Sequence, residues 1–211
     1  MAKVTIQQMQ VGALGVNCYL VINDELKEAV VVDPGGHANA IADQLKKQGV
    51  KLAGIFLTHA HFDHADGAED LQKLMGSNIY AHEAEARTLE DPRYNMSNMM
   101  GRGMGVSYKA DVFVKEGQII ELAGFQFQVI HTPGHTEGGC CYYMEEEKIL
   151  LSGDTLFCGS IGRTDFPGGS YGTLIRSVQE KLFPLPAEVK VLPGHEGTSL
   201  IGYERDHNPF F

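Results

Sequence analysis

The stretch Thr58-His59-Ala60-His61-Phe62-Asp63-His64 places three imidazoles and a carboxylate within six residues. Imidazole nitrogens and carboxylate oxygens are ligands that divalent transition metals accept, and packing so many costly polar groups at a buried strand end has no benefit without a cation. In an extended segment, residues two apart project to the same side. His59 and His61 can therefore share one ion, while a turn into the next helix points Asp63 and His64 elsewhere. Two ligand sets imply two ions. Three later candidates each sit beside small or turn-forming residues, which let the backbone swing sharply toward a ligand: His135 in Thr132-Pro133-Gly134-His135, Asp154 in Ser152-Gly153-Asp154, and His195 in Pro193-Gly194-His195. Each follows an apolar run, so all can converge on one edge of a sheet. Two adjacent cations lower the pKa of a shared water toward about 7 and polarise a carbonyl, so the chemistry to expect is hydrolysis by a hydroxide formed at neutral pH.

The surrounding elements must bring these residues together. Residues 4–10, 18–22 and 29–33 read as strands separated by Gly, Asn and Asp turn signals. Residues 40–48 carry Ile41, Ala42 and Leu45 at helical spacing, with Gly49 as the stop. Residues 52–58 form a nearly continuous apolar run, the pattern of a strand covered on both faces, and lead directly into the histidine cluster. A helix over 66–75, a strand over 78–82 and a short helix over 83–90, closed by Asp91-Pro92, follow. Residues 94–108 are rich in Met and Gly without a clear period, which fits either a mobile loop bordering a pocket or an irregular packed connection. Strands then return over 125–131, 139–144, 148–152 and 189–192, interrupted by a helix over 171–181. This order suits two packed sheets with helices outside better than one doubly wound parallel sheet, although periodicity alone leaves the choice open.

The 211 residues, 43% of them hydrophobic, are expected to form one domain spanning 1–211. A formal charge of -10, from 27 acidic against 17 basic residues and without a Lys/Arg cluster, argues against nucleic acid as a partner. The first ten residues lack the apolar core of a signal peptide, and no run of about 18 apolar residues offers a membrane span, so a cytoplasmic protein is expected. Cys18, Cys140, Cys141 and Cys158 form no C-x-x-C pair and are expected to be reduced, buried thiols.

Thr58–His64, His131–Thr136, Ser152–Phe157, the segment Gly162-Arg163-Thr164-Asp165-Phe166-Pro167 and the ending Asn208-Pro209-Phe210 together resemble the metallo-β-lactamase superfamily, and within it the short bacterial glyoxalase II (hydroxyacylglutathione hydrolase-like) type. The resemblance implies an α+β fold, a four-layer αββα sandwich with the site at one edge of the sheets. It implies that His59, His61 and His135 hold one ion, that Asp63, His64 and His195 hold the second, and that Asp154 bridges them. The ions expected are two divalent metals, zinc above all, with iron or manganese accepted by the same ligands. Asp63 is expected also to orient the metal-bound hydroxide. The implied substrate is a small acyl-thiol such as S-lactoylglutathione, cleaved to a hydroxy acid and free thiol. β-Lactamases usually have Cys, or lack the bridging Asp, at the position of Asp154, which disfavours a lactam. The longer glyoxalase II type carries a C-terminal extension that holds glutathione. Here only sixteen residues follow His195, so glutathione recognition is expected to be weaker or built from other loops, such as residues 94–108 and the Arg163 region.

Several residues have two readings. Asp33, in Val32-Asp33-Pro34-Gly35, either accepts a hydrogen bond from a ligand imidazole or simply forms a turn. His131 either supports a ligand in the same way or organises its own turn. Arg163 offers a bidentate fork to a substrate carboxylate, or pairs with nearby Asp165. Cys158 is read as a small buried thiol, and His37, His82 and His207 as surface or hydrogen-bonded residues. Two rival functions share the motifs. One is a mononuclear iron persulfide dioxygenase that would use His59, His135 and Asp154. The other is a metal-binding module without catalysis.

Overall fold

A computed structural model describes residues 3–99 and 105–211, and two mixed sheets dominate it. The first sheet begins with three antiparallel strands, β1 (Val4–Val11), β2 (Val16–Asn23) and β3 (Glu28–Val32). It continues in parallel through β4 (Lys51–Phe56), β5 (Ile79–His82) and β6 (Val112–Val114). The parallel crossovers are helical: α1 (Ala38–Lys47) joins β3 to β4, and the one-turn α2 (Phe62–Ala65) with α3 (Ala68–Met75) joins β4 to β5. A 3-10 turn (Glu83–Glu85) and α4 (Ala86–Glu90) follow β5.

The second sheet has a meander, β7 (Ile119–Leu122), β8 (Phe125–His131), β9 (Cys140–Met144) and β10 (Ile149–Gly153), all paired antiparallel. A small ribbon of β11 (Leu156–Phe157) and β12 (Ser160–Ile161), then α5 (Tyr171–Ser177) with a π turn (Val178–Leu182), lead to β13 (Lys190–Pro193). β13 pairs parallel with β10, and β14 (Ser199–Leu200) and α6 (Ile201–His207) close the chain of elements. Two successive antiparallel pairings relate β8 to β10, so β8, β10 and β13 all run the same way and end at the same edge.

The alternation of side chains along strands explains how four layers form. In β2, Tyr19 and Val21 enter a core between the sheets with Phe56, Phe127, Val129 and Tyr142, while Cys18, Leu20 and Ile22 face the other side and pack with Ile41 and Leu45 of α1 and Leu71 of α3. The second sheet repeats this: Tyr142 and Leu151 face inward, whereas Cys141, Tyr143 and Leu150 pack against Leu174, Leu182 and Ile201. Fully burying each such Leu or Ile stabilises the fold by about 1.5–3 kcal/mol. Helices on both outer faces of two facing sheets give the αββα sandwich that the resemblance implied.

Some boundaries differ from those expected. The helix expected at 66–75 is broken, because Gly67 N bonds to Pro34 O at 2.8 Å and only then does α3 begin. Asp33 lies just past β3 with φ 52, outside the strand expected to include it. Of residues 94–108, the described parts are packed: buried Asn95 donates to Leu89 O and Val106 O, and the Ser97 hydroxyl donates to Val106 O. The middle of that stretch lies outside the described residues. Cys18, Cys140 and Cys141 are buried, but Cys158 is exposed, because it sits at the tip between β11 and β12 rather than on a core-facing strand position. No described helix is long and apolar enough to cross a membrane.

Candidate metal centre

The strand ends are stitched together by hydrogen bonds outside the cluster itself. Leu57 O accepts from the Tyr142 hydroxyl at 2.9 Å and Thr58 O accepts from Cys140 N at 2.9 Å, so the C-terminal end of β4 is fixed against β9. Gly194 N donates to Gly153 O at 2.8 Å, and Gly194 O accepts from Asn17 N at 2.7 Å, clamping the ends of β10 and β13 to β2. From these ends project His59 (after β4), His135 (between β8 and β9), Asp154 (after β10) and His195 (after β13). His61 is the N-terminal flanking residue of α2, with extended φ −60 and ψ 147, and the first turn of that helix carries Asp63 and His64.

All of the residues expected as metal ligands are brought together. Ligand atoms of His59, His61 and His135 lie within 4.8 Å of one another, as do those of Asp63, His64 and His195, and those of His59, His64 and Asp154. His135 Nε2 is 3.2 Å from His59 Nε2 and 2.9 Å from His61 Nδ1. Nitrogens bound to one tetrahedral zinc at about 2.0–2.1 Å sit roughly 3.3–3.4 Å apart, so this spacing is close to that of a ligand set. His195 Nε2 lies 3.2 Å from Asp63 Oδ2. Asp154 stands between the sets, with Oδ1 3.3 Å from His64 Nε2 and Oδ2 3.6 Å from His135 Nε2. His61 Nε2, His64 Nε2 and Asp154 Oδ1 are buried atoms without a hydrogen-bond partner. Buried polar atoms are normally satisfied, and the adjacent orphans His64 Nε2 and Asp154 Oδ1 fit a cation. The donor set and the orphaned atoms thus fit divalent metal.

The electrostatics agree. Burial, reinforced by neighbouring imidazoles, pushes His59 well below its ordinary pKa and His61 down to about 3, and burial also lowers His135. These shifts favour the neutral rings, whose nitrogens have lone pairs to donate. His64 goes the other way: burial would lower it, but Asp154, Asp63 and Asp33 together hold it well above its usual value. Burial opposes ionisation of Asp154 and Asp63, yet His64 in particular keeps both below the ordinary carboxylate range. Burial also opposes the charged form of His195, whose hydrogen bond to Asp63 outweighs it and raises the ring. The carboxylates thus favour positive charge at this point of the fold.

Supporting residues fix the rings. Asp33 Oδ2 contacts His64 Nδ1 at 3.0 Å and accepts from the Thr58 hydroxyl at 2.7 Å, while Oδ1 accepts from Thr58 N at 2.8 Å. Both sequence readings of Asp33 coexist, since it turns the chain and touches an imidazole of the cluster. His135 Nδ1 contacts Arg163 O at 2.6 Å. The Arg163 side chain is exposed, forms two hydrogen bonds to Asp165 at 3.0 and 2.7 Å, and lies 4.2 Å over the Phe166 ring. His131 stays out of the cluster: its Nε2 is 3.0 Å from Glu137 O, and the ring stacks on His82 at 4.0 Å. His37 and His207 are exposed, and His82 Nδ1 accepts from Ala84 N.

One contributor went unread in the sequence. Glu85 is wholly buried, and its carboxylate accepts from Ala60 N at 3.0 Å, from Gly138 N at 2.9 Å and from the Thr136 hydroxyl. Burial pushes its carboxyl up against the opposing pull of those bonds. In His82-Glu83-Ala84-Glu85 it resembles an ordinary solvated acid at a helix start, and no local signal marks it. A cavity of about 470 Å³ opens over the cluster, walled by Leu14, Phe62, Met96, Met99, Phe157 and Phe166, with Arg163 at its side.

Two mixed sheets flanked by helices, with a His/Asp cluster suited to divalent metal at their common edge, define a metallo-β-lactamase fold. The chain belongs to the metallo-β-lactamase superfamily, which matches residues 11–195. It is 36% identical to hydroxyacylglutathione hydrolase GloC of Haemophilus influenzae over 97% of each chain. Among solved structures, BLEG-1, described as a B3 metallo-β-lactamase, shares 39% identity over 98% of this chain and 99% of its own, with a TM-score of 0.91. TTHA1623, solved in a di-iron-bound form, shares 33% identity over 97% of this chain and 100% of its own, with a TM-score of 0.86.

Proposed function

We propose that the protein is a metal-dependent hydrolase that cleaves a thioester such as S-lactoylglutathione to a hydroxy acid and free thiol. The observation that carries this reading is the convergence of His59, His61, Asp63, His64, His135, Asp154 and His195 from four separate stretches, with buried lone pairs aimed at a shared space. In this reading His59, His61 and His135 hold one ion, Asp63, His64 and His195 a second, and Asp154 reaches both. When bound, two divalent ions, zinc or alternatively iron or manganese, supply Lewis acidity and a water acidified to near-neutral pKa.

The protein's own groups do the rest. Asp63, 3.2 Å from His195 through Oδ2, orients the attacking hydroxide. The new C–O bond forms as the C–S bond breaks, and the thiolate leaves without a dedicated general acid. Leu14, Phe62, Met96 and Met99 offer an apolar wall to the substrate. Arg163 at the cavity side offers its guanidinium to a substrate carboxylate, in competition with Asp165. The reading treats residues 1–211 as one domain working in the cytoplasm on a small acyl-thiol.

A β-lactam is a second candidate substrate, because the solved relative at TM-score 0.91 is described as a B3 metallo-β-lactamase. The single-iron dioxygenase alternative would leave His61, Asp63, His64 and His195 converging without a task. Metal content per chain, thiol release from S-lactoylglutathione under nitrogen, and nitrocefin hydrolysis separate these readings. Two metals with oxygen-independent thiol release are expected. One iron with oxygen uptake on glutathione persulfide, nitrocefin turnover without thiol release, or two metals without turnover of any thioester, ester or lactone, would overturn the proposal.

A further inference from the structure

We infer that Glu85 is a positioning residue for one ion of the pair: its buried carboxylate fastens the His59–His61 segment to the loop that follows His135, and so sets the affinity of the site formed by those three histidines. The inference rests on the two-ion reading above. Ala60, whose N–H bonds to Glu85 Oε2 at 3.0 Å, lies between His59 and His61. Thr136, next to His135, donates its hydroxyl to Oε1, which also accepts from Gly138 N at 2.9 Å. One side chain thereby ties two loops that are 25 and 51 residues from it in sequence.

Burying a carboxylate costs several kcal/mol unless donors satisfy it, so a wholly buried Glu at this point is retained only with its donors in place. The Gly138 loop is also seated directly on Glu85. A Cβ at Gly138 would lie 2.3 Å from Glu85 N, so the loop has no room to drift toward that backbone. The other half of the cluster is held differently, since Asp33 contacts His64 Nδ1 directly at 3.0 Å, whereas the residues bonded to Glu85 at Ala60, Thr136 and Gly138 lie beside His59, His61 and His135. The His59, His61 and His135 nitrogens are 2.9–3.2 Å apart across the junction that Glu85 spans. A relative slip of about 1 Å between the two loops is enough to spoil their common aim.

Glu85→Gln separates this role from bulk. The amide keeps the shape, but its NH2 must face either Ala60 N–H or Gly138 N–H, donor against donor. The Thr136 hydroxyl can turn to accept, so either orientation of the amide breaks one of the two backbone bonds and loosens the tie between the His59–His61 segment and the loop after His135. Loss of an orienting partner typically weakens metal binding about 10–100-fold.

The test titrates metal-free wild type, Glu85→Gln, His61→Ala and His195→Ala with Co(II), following visible absorption and thermal midpoint. In Glu85→Gln one Co(II) is expected to bind as in wild type and the other about 10–100-fold more weakly. Its spectrum at one equivalent is expected to match that of His61→Ala, not that of His195→Ala. Two wild-type affinities, equal weakening of both ions, or a residual spectrum matching His195→Ala would overturn the assignment. If Glu85→Gln does not fold, Thr136→Val removes one donor and is read by the same criteria. Should His61→Ala itself retain two ions, the ligand assignment on which the inference rests fails. Should His61→Ala lose one ion while Glu85→Gln keeps both, only the role of Glu85 fails.

Discussion

Gly194→Ala is the substitution whose effect the structure defines most sharply. A Cβ added at Gly194 would lie 2.3 Å from Asp154 Oδ1 and 2.6 Å from His64 Cε1. Ordinary carbon–oxygen contact begins near 3.4 Å, so the methyl group overlaps the Asp154 carboxylate by 3.4 − 2.3 = 1.1 Å. The backbone cannot yield, because Gly194 N is bonded to Gly153 O at 2.8 Å and Gly194 O to Asn17 N at 2.7 Å. Asp154 and His64 must therefore move, and these residues stand where the two ligand sets meet. Overpacking of this kind costs about 1–3 kcal/mol, and at roughly 2–4 °C per kcal/mol for a chain of this size the midpoint should fall by about 2–12 °C. A 1 Å misplacement of reacting groups costs on the order of 100-fold in rate. The assay is metal content per chain, thermal melting, and kcat/KM for thioester hydrolysis. Gly197→Ala, where a Cβ meets nothing within 4 Å, serves as the control and should behave as wild type in all three. Wild-type metal content and rate in Gly194→Ala would refute the packing argument and with it the placement of Asp154 between the two sets.

Three further outcomes follow from the same geometry. His61→Ala should lose at least one metal per chain and most activity, checked by elemental analysis and initial rates, since His61 Nδ1 faces His135 Nε2 at 2.9 Å. Asp165→Ala removes both hydrogen bonds that occupy Arg163, so KM for a thioester carrying a carboxylate should fall several-fold with kcat little changed, while a neutral thioester shows no change. An unaltered KM ratio between the two substrates would exclude contact between Arg163 and substrate. Chelation should lower the thermal midpoint, and zinc at 100 times its dissociation constant should restore about 2.7 kcal/mol of stability for each site filled, read by calorimetry with and without metal.

Much of the site was legible because the residues that converge there carry local signals. The dense His59–His64 cluster stands at the end of a strand buried on both faces, and His135, Asp154 and His195 each follow a strand through a glycine. Their chemistry and their strand-end position are both written in adjacent residues. The alternation in β2 likewise supports a two-sided sheet, since Tyr19 and Val21 face one core and Leu20 and Ile22 another. What escaped depends on partners far away in sequence. Glu85 acquires its role only when Ala60 and Gly138 present N–H groups to it, and nothing in its neighbours distinguishes it from an exposed acid. The break before α3 arises from a bond between Gly67 and Pro34, not from a helix-stop signal. Short edge elements such as β6, β14 and α6 were missed because a few residues are too few to show a period. Cys158 was misplaced because a small apolar residue is usually buried, yet the tight turn between β11 and β12 carries it outward.

The central claim is that two cations sit among these side chains, and anomalous diffraction from crystals grown with zinc tests it most directly. Two peaks are expected, one ringed by His59, His61 and His135 and the other by Asp63, His64 and His195, with the Asp154 carboxylate between them. A single peak, or peaks coordinated by other residues while these rings point apart, would contradict the account.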